Sequence, residues 1–169
     1  MKISRTAWVL VFVLTSSVFL AAQSASAAID AYLKIPGVEG TAKGPWAGWI
    51  AVDSVNFSSE AVRDAASGLA TGKRQHQPFV IMKETDAASP KLVQFCASGK
   101  HFASVQVAYV NAAGQVIKRA EMSDALILTA RRAGGSPGRE MEEIQFTFQK
   151  ITLQDGNGKT TATDDWLSR

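Results

Sequence analysis

A period-two alternation of apolar and polar residues, repeated along the chain, restricts the possible fold more than any other feature. Asp30–Ile35 places Ala31, Leu33 and Ile35 in one phase and polar or amphipathic residues in the other. Four further segments rich in Val, Ile, Phe and Thr follow, at Ile50–Phe57, Ser104–Val110, Ala125–Ala130 and Ile144–Leu153. Such patterns are typical of strands with one buried face, so the sequence predicts a mainly β domain.

The longest predicted strand, Ile144–Leu153, changes phase along its length. Phe146 falls on one phase and Ile151 on the other. Either both faces of this strand are buried, or a bulge near Gln149–Lys150 resets the register, because one extra residue reverses the facing of every later side chain.

One helix is predicted among the strands. Ser89 suits the N-cap, Pro90 suits the first helical position, and Gly99 suits the left-handed stop. This short helix needs packing to be stable, and an apolar stripe at spacing i, i+3, i+4 could cover an open end of a barrel. The stripe consists of Leu92, Phe95 and Cys96.

Three segments are expected to lie outside strands. Ser58–Gln77 shows little periodicity, and a loop of that length in a compact domain is usually functional or disordered. Ala133–Arg139 is a glycine-rich turn that would join the last two strands. Asp155–Lys159 looks like a fragment of a calcium loop, but we interpret it as a hairpin-type turn.

The first 27 residues have the pattern of a secretory signal peptide. Lys2 and Arg5 precede the apolar run Ala7–Leu20, and Ala25 and Ala27 form an Ala-x-Ala cleavage site. The run is shorter than the ~20 residues of a spanning helix, which argues against a membrane anchor. We therefore predict cleavage after Ala27, no stable membrane insertion, one domain over residues 28–169, and a periplasmic or secreted protein.

Charge and cysteine content exclude several classes of protein. Removing Lys2 and Arg5 from the 18 basic residues leaves 16 against 15 acidic ones, too even a balance for a nucleic-acid-binding surface. The pairs Lys73–Arg74 and Arg131–Arg132 are interpreted as solvated loop residues. The single cysteine, Cys96, rules out an internal disulfide and is interpreted as a small buried thiol.

The chain lacks the motifs of an enzyme or a metal site. His76 and His101 are its two histidines, no G-x-S-x-G elbow is present, and His and Cys are not at zinc-ligand spacing. The acidic residues are interpreted as a solvated strand entry at Glu140, Glu142 and Glu143. We therefore predict no catalytic residue, no cofactor and no metal, and an enzyme that uses His101 as its base is the least favoured alternative.

Two segments of the chain are distinctive, AIDAYLKIPGVEG at 28–40 and SPKLVQFCASGKHF at 89–102. Both resemble the Hcp (haemolysin-coregulated protein) family of type VI secretion. The segment AIDAYLKIPGVEG at 28–40 resembles the opening strand of that family. The segment SPKLVQFCASGKHF at 89–102 resembles its helix and the exit of that helix through Gly99, Lys100 and His101. The order of the later strands also matches, so the resemblance covers nearly all of the chain after the leader.

The resemblance implies a compact β-barrel of two antiparallel sheets with one short flanking α-helix. It also implies hexameric rings that stack into a tube, sheath or spike proteins as partners, and effector cargo in the lumen. In this family the loop after the second strand reaches a neighbouring subunit, and it corresponds here to Ser58–Gln77. The candidate ring or stacking contacts are Arg63, Asp64, Lys73, Arg74 and His76.

A non-catalytic binding module with the same barrel is the alternative function. Trp46 and Trp49 could form a platform on which a sugar stacks, or they could pack in the core or an interface.

Overall fold

The computed structural model describes residues 29–60, 66–67, 69 and 75–167. The predicted leader lies outside these residues. Within them the chain forms eleven strands and one α-helix, which confirms the predicted mainly β class.

The strands are β1 (Asp30–Lys34), β2 (Ile50–Val52), β3 (Ser54–Asn56), β4 (Ser59–Glu60), β5 (Gln75–His76), β6 (Phe79–Glu84), β7 (His101–Val110), β8 (Val116–Ser136), β9 (Arg139–Thr147), β10 (Lys150–Asp155) and β11 (Thr161–Asp165). Helix α1 covers Ser89–Ser98, and a single 3-10 turn covers Gly44–Trp46.

Nine strands form one antiparallel sheet, whereas the family resemblance implies a barrel of two sheets. Its order is β2-β1-β7-β8-β9-β6-β3, with β10 paired to β8 and β11 paired to β10. The sheet does not close through strand pairing, although its end strands β2 and β3 follow each other in the chain. Between them the Asp53 N–H donates to the Met82 carbonyl at 2.9 Å, so the chain passes from one end of the sheet to the other at this residue.

The strand predicted over Ile50–Phe57 is interrupted at Asp53. Ile50 is fully buried before the interruption, whereas Val55 and Phe57 pack against the core in the opposite phase after it. The phase changes because β2 pairs with β1 and β3 pairs with β6, which requires a bend between them.

The strand predicted over Ile144–Leu153 is likewise two strands. β9 pairs with β8 and β6, and β10 then pairs with a different part of β8 and with β11. At the junction the Gln149 N–H donates to the Ser123 carbonyl at 3.1 Å. Phe146 and Ile151 both reach the same core, so a change of partner strand explains the change of phase, not a bulge or burial on both faces.

Strand β8 is much longer than the predicted Ala125–Ala130. It runs through Val116–Ser136, and its pairing with β9 continues to Ser136 and Arg139. The segment predicted as an irregular turn is therefore mostly strand, and only Pro137 and Gly138 lie between β8 and β9. Gly135 is required in this close hairpin because a Cβ there would lie 2.0 Å from the Arg139 carbonyl oxygen.

The long segment Ser58–Gln77 begins and ends in a two-stranded ribbon. Ser59 pairs with His76 and Glu60 with Gln75, forming β4 and β5. At the other end of the chain the turn predicted at Asp155–Lys159 is confirmed, and it leads into β11, which the sequence did not reveal.

The core lies between the inner face of the sheet and α1. Each large apolar side chain that is fully buried contributes about 1.5–3 kcal/mol relative to exposure. The largest buried apolar side chains are Phe79, Phe146, Leu33, Ile35, Ile50, Ile81, Leu92, Met122, Ile127, Ile144 and Ile151.

Candidate functional site

The start of α1 differs from the prediction. Ala88 occupies the N-cap position without a side-chain cap, and Pro90 lies in the first turn as predicted. Ser89 is the first helical residue, and its buried hydroxyl accepts from the Asp86 N–H at 2.9 Å and donates to Glu142 Oε1 at 2.8 Å. Ser89 therefore joins the helix to strand β9, and its prediction as an N-cap is wrong.

The end of α1 confirms the left-handed stop. Gly99 has φ 60° and ψ 33°, a conformation that glycine adopts without a Cβ penalty. Its N–H donates to the Cys96 carbonyl and the Lys100 N–H donates to the Phe95 carbonyl, both at 3.2 Å. Lys100 Nζ then lies 4.2 Å from the centroid of the Phe95 ring, a cation–π contact that covers the helix end.

The predicted apolar stripe faces the core. Leu92 is fully buried, and the Phe95 ring packs edge-on against Phe102 with centroids 5.4 Å apart. Cys96 is a free, partly buried thiol whose Sγ lies 3.8 Å from the Leu128 carbonyl oxygen. The stripe thus fixes α1 against strand β8, while Val93 on the same helix stays 53% exposed.

A buried ionic network anchors the start of α1. Lys83 on β6 is fully buried, and its Nζ donates to Glu142 Oε1 at 2.7 Å, Asp86 Oδ1 at 2.8 Å and the Glu84 carbonyl at 2.6 Å. An unpaired buried charge would be strongly unfavourable, so these bonds together hold β6, β9 and the helix entry in one arrangement.

This network corrects the interpretation of Glu142 as a solvated residue. Glu142 is 6% exposed, whereas its neighbour Glu140 is exposed as expected. The sequence does indicate such a network, because Lys83 has the same phase in strand β6 as the buried residues Phe79 and Ile81. A lysine in that phase requires a buried anionic partner.

The β8–β9 hairpin carries exposed ion pairs. Arg131 donates to Glu143 through two bonds of 3.1 and 3.0 Å, which raises the pKa of the Arg131 guanidinium and lowers the pKa of the Glu143 carboxyl. Arg132 lies 3.4 Å from Glu140. The basic pair interpreted as solvated loop residues therefore belongs to strand β8 and pairs with β9.

Arg139, beside the turn of this hairpin, connects it to β6 and to the junction between β2 and β3. Its guanidinium donates to Glu84 at the end of β6 and to Asp53 between β2 and β3. Hydrogen bonding to Glu84 and the charge of Asp53 raise the pKa of Arg139.

The segment after β1, residues 36–49, folds over the outer face of the sheet, and we call it the tryptophan loop. Lys34 Nζ donates to the Gly48 carbonyl at 3.0 Å, and the Ala42 N–H donates to the Trp49 carbonyl at 3.0 Å. Gly40 is required because a Cβ there would lie 2.1 Å from the Trp49 carbonyl oxygen. The residues of the LKIPGVEG segment thus have a structural role, which is to position this loop.

The tryptophan loop presents an aromatic cluster. The rings of Tyr32 and Trp46 stack with centroids 4.9 Å apart, and Trp49 stands perpendicular to Trp46 at 5.0 Å. Both tryptophans border a groove of about 110 Å³. Its other lining residues come from β7, β8 and β10 and are polar except for Val107, Ala108 and Ala120. We call this the tryptophan groove.

The remaining predicted site residues divide into two groups. His76 lies in β5, and the other candidate contacts, Arg63, Asp64, Lys73 and Arg74, lie outside the described residues. His101 begins β7, and its exposed Nδ1 is 2.8 Å from Asp124 Oδ1.

No group of three or more His, Cys, Asp or Glu side chains within the described ranges could hold a metal ion. Over the same part of the chain, no helix has the length and apolar character needed to cross a bilayer.

Comparison with known proteins agrees with this fold. The family model of the type VI secretion system effector Hcp matches residues 32–154. The Major exported protein of Pseudomonas aeruginosa is 32% identical over 125 residues, which cover 66% of this chain and 73% of that protein. The chain therefore belongs to the Hcp family of type VI secretion proteins and is an exported protein, which confirms the resemblance and the predicted export.

Solved structures share the architecture. A crystal structure of an Hcp protein matches with a TM-score of 0.73 at 19% identity, covering 81% of this chain and 99% of the other. A type VI secretion system effector from Yersinia pestis matches with a TM-score of 0.67 at 27% identity, covering 80% of this chain and 99% of the other.

Proposed function

We propose that this protein is a non-catalytic structural subunit that forms hexameric rings of a type VI secretion system. The rings stack into a tube, carry effectors in the lumen, and contact sheath or spike proteins. The active chain is residues 28–169, released from a signal peptide that is cleaved after Ala27. Family membership is the single observation that carries this proposal most strongly.

An exposed apolar patch supports self-association. Val93 and Cys96 lie one turn apart on α1, and Cys96 contacts the backbone of Leu128. Val93 is 53% and Leu128 52% exposed. Two large apolar side chains therefore face outward where α1 contacts β8. We call Val93, Cys96 and Leu128 the helix patch, and we assign it to a contact between neighbouring subunits of the ring.

The sheet edge is a second feature that suits assembly. Among the described strands, β11 pairs only with β10, so it lies at the end of that part of the sheet. Trp166 and Leu167 follow directly and are 41% and 76% exposed. Exposed apolar side chains at this end of the sheet suit a contact with another copy.

The segment between β4 and β5 is assigned to ring or stacking contacts. Its base is the ribbon of Ser59 and His76, and the chain between carries Arg63, Asp64, Lys73 and Arg74. The ribbon holds the two ends of this charged segment side by side.

Negative-stain electron microscopy of the protein without residues 1–27 tests this proposal. We expect six-fold rings for the intact domain. Removing residues 65–73 is expected to reduce rings or their stacking while circular dichroism and the melting temperature stay unchanged. Single particles of monomer size for the intact domain would contradict the proposal and favour the alternative, an exported binding module that uses the tryptophan groove.

A further inference from the structure

The tryptophan groove brings polar side chains from three strands together. Register pairs Ala108 on β7 with Arg119 on β8, and Arg119 with Gln154 on β10. One step along the sheet, Gln106 pairs with Glu121. Paired side chains on one face of a sheet lie about 5 Å apart, so these groups form one continuous polar surface that borders the groove.

The aromatic wall of the groove is held rigidly. Trp46 has one face covered by Tyr32, with the two rings only 4° from parallel, and Trp49 meets Trp46 at 87°. Ala108 pairs with Tyr32 on β1 and with Arg119 on β8, so it belongs to the same outer face of the sheet. It is nevertheless only 2% exposed, because the aromatic cluster covers it. The bond from Lys34 to Gly48 holds the loop in place, so the corner between the tryptophans exists before any ligand arrives.

Several polar groups of the groove have no partner within the described part of the chain. Glu121 accepts a hydrogen bond of 2.6 Å from the Ser104 hydroxyl. The Arg119 guanidinium has no carboxylate within ion-pair distance there, and the carboxamides of Gln106 and Gln154 are bonded to no other described side chain. The surface therefore offers one guanidinium and two amides to a ligand.

We propose that the tryptophan groove binds a single pyranose ring that carries a carboxylate. The apolar face of the sugar packs on the corner of Trp46 and Trp49. The carboxylate accepts a bidentate bond from Arg119, and the hydroxyls bond to Glu121 and the glutamine side chains. This binding goes beyond the proposed role in ring formation, and it fits an exported protein that meets carbohydrate outside the cytoplasm.

The dimensions and the lining favour this ligand over others. A volume of about 110 Å³ is well below the roughly 300 Å³ at which pockets begin to enclose a small molecule, so the groove receives one ring face and leaves the rest in solvent. An amino acid would use Arg119 and Glu121 but would leave both glutamines unpaired. A purely apolar ligand would bury the Arg119 charge without a partner.

A titration with two sugars tests the proposal. N-acetylmuramic acid has the carboxylate, and N-acetylglucosamine is the matched neutral ring without it. Ligand-observed saturation-transfer NMR on the purified protein, in whatever oligomer it forms, gives both dissociation constants. We expect the acid to bind about tenfold more tightly than the neutral sugar, because a hydrogen bond to a charged group is the stronger kind.

Variants separate the two walls of the groove. Arg119→Gln changes an exposed residue and is expected to remove the tenfold preference for the acid. The dissociation constant of the neutral sugar should stay within about twofold of its value for the unaltered protein. Trp49→Ala is expected to weaken both sugars, and Trp166→Ala, at an exposed tryptophan outside the groove, to weaken neither. The proposal would be overturned if the unaltered protein bound neither sugar. It would also be overturned if Arg119→Gln kept the full preference for the acid over the neutral sugar. Both results can be read even if Trp49→Ala fails to fold.

Discussion

Two clusters of charged residues meet at β9, and they differ in burial and therefore in role. Lys83, Asp86 and Glu142 form a network whose side chains are 0%, 14% and 8% exposed. One residue further along, Glu143 pairs with Arg131, whose side chain is 62% exposed. Neighbouring residues of one strand thus face opposite environments, and only the buried network must stay intact for the helix to dock.

The largest effect is expected from Glu142→Ala. This change leaves the Lys83 ammonium buried with less counter-charge, and breaking a buried pair typically costs about 3–5 kcal/mol. Urea unfolding followed by circular dichroism measures the loss. The double variant Lys83→Met with Glu142→Leu is the control and is expected to recover most of the stability, because it removes both charges of the buried pair and leaves only Asp86, whose side chain is 14% exposed. A loss below about 1 kcal/mol for Glu142→Ala would show that the network is not essential.

A smaller effect is expected from Asp86→Asn. Asp86 Oδ1 accepts from Lys83 Nζ and from the Ala88 N–H, and an amide oxygen can still accept both bonds without the charge. We expect a loss of about 1–2 kcal/mol, less than for Glu142→Ala. A loss equal to that of Glu142→Ala would mean that charge at Asp86 matters as much as the buried pair with β9.

The smallest effect is expected from the exposed pair. Arg131→Ala should lower the melting temperature by at most about 3 °C, and the difference should shrink at high salt. The lowered pKa of Glu143 means that its contribution is present above the unfolded pKa and is lost as the pH falls through the folded pKa. Melting curves of the variant and the unaltered protein should therefore converge at acidic pH. A large decrease in melting temperature that does not depend on salt would show that this pair stabilises the fold as strongly as the buried network does.

Local patterns predicted part of this structure, and pairing between distant strands determined the rest. Alternation revealed β1, and the sequence around Gly99 revealed the helix stop, because both depend on adjacent residues. The breaks at Asp53 and Gln149 depend on which strand each segment joins, and no local pattern contains that information. β11 was missed because its sequence, TATDD, has almost no apolar residues.

The candidate site shows the same limit. The helix residues were predicted correctly except for Ser89, whose hydroxyl serves a buried network instead of a cap. Glu142 was misread because acidic residues in a strand are usually solvated, and its partner Lys83 is distant in sequence. The lining of the tryptophan groove could not be predicted from local patterns, because Trp49 and Arg119 are distant in sequence and only the fold brings them together.

We propose that exposed surfaces drive assembly, whereas the buried network maintains the fold. The native mass of the Leu128→Asp variant tests it most directly, beside Ile117→Asp as a control on the same strand, where Ile117 is 40% exposed. We predict that Leu128→Asp dissociates the hexamer and keeps the melting temperature, and that Ile117→Asp stays hexameric. A Leu128→Asp protein that remains a hexamer would contradict the assignment of the helix patch to the ring contact.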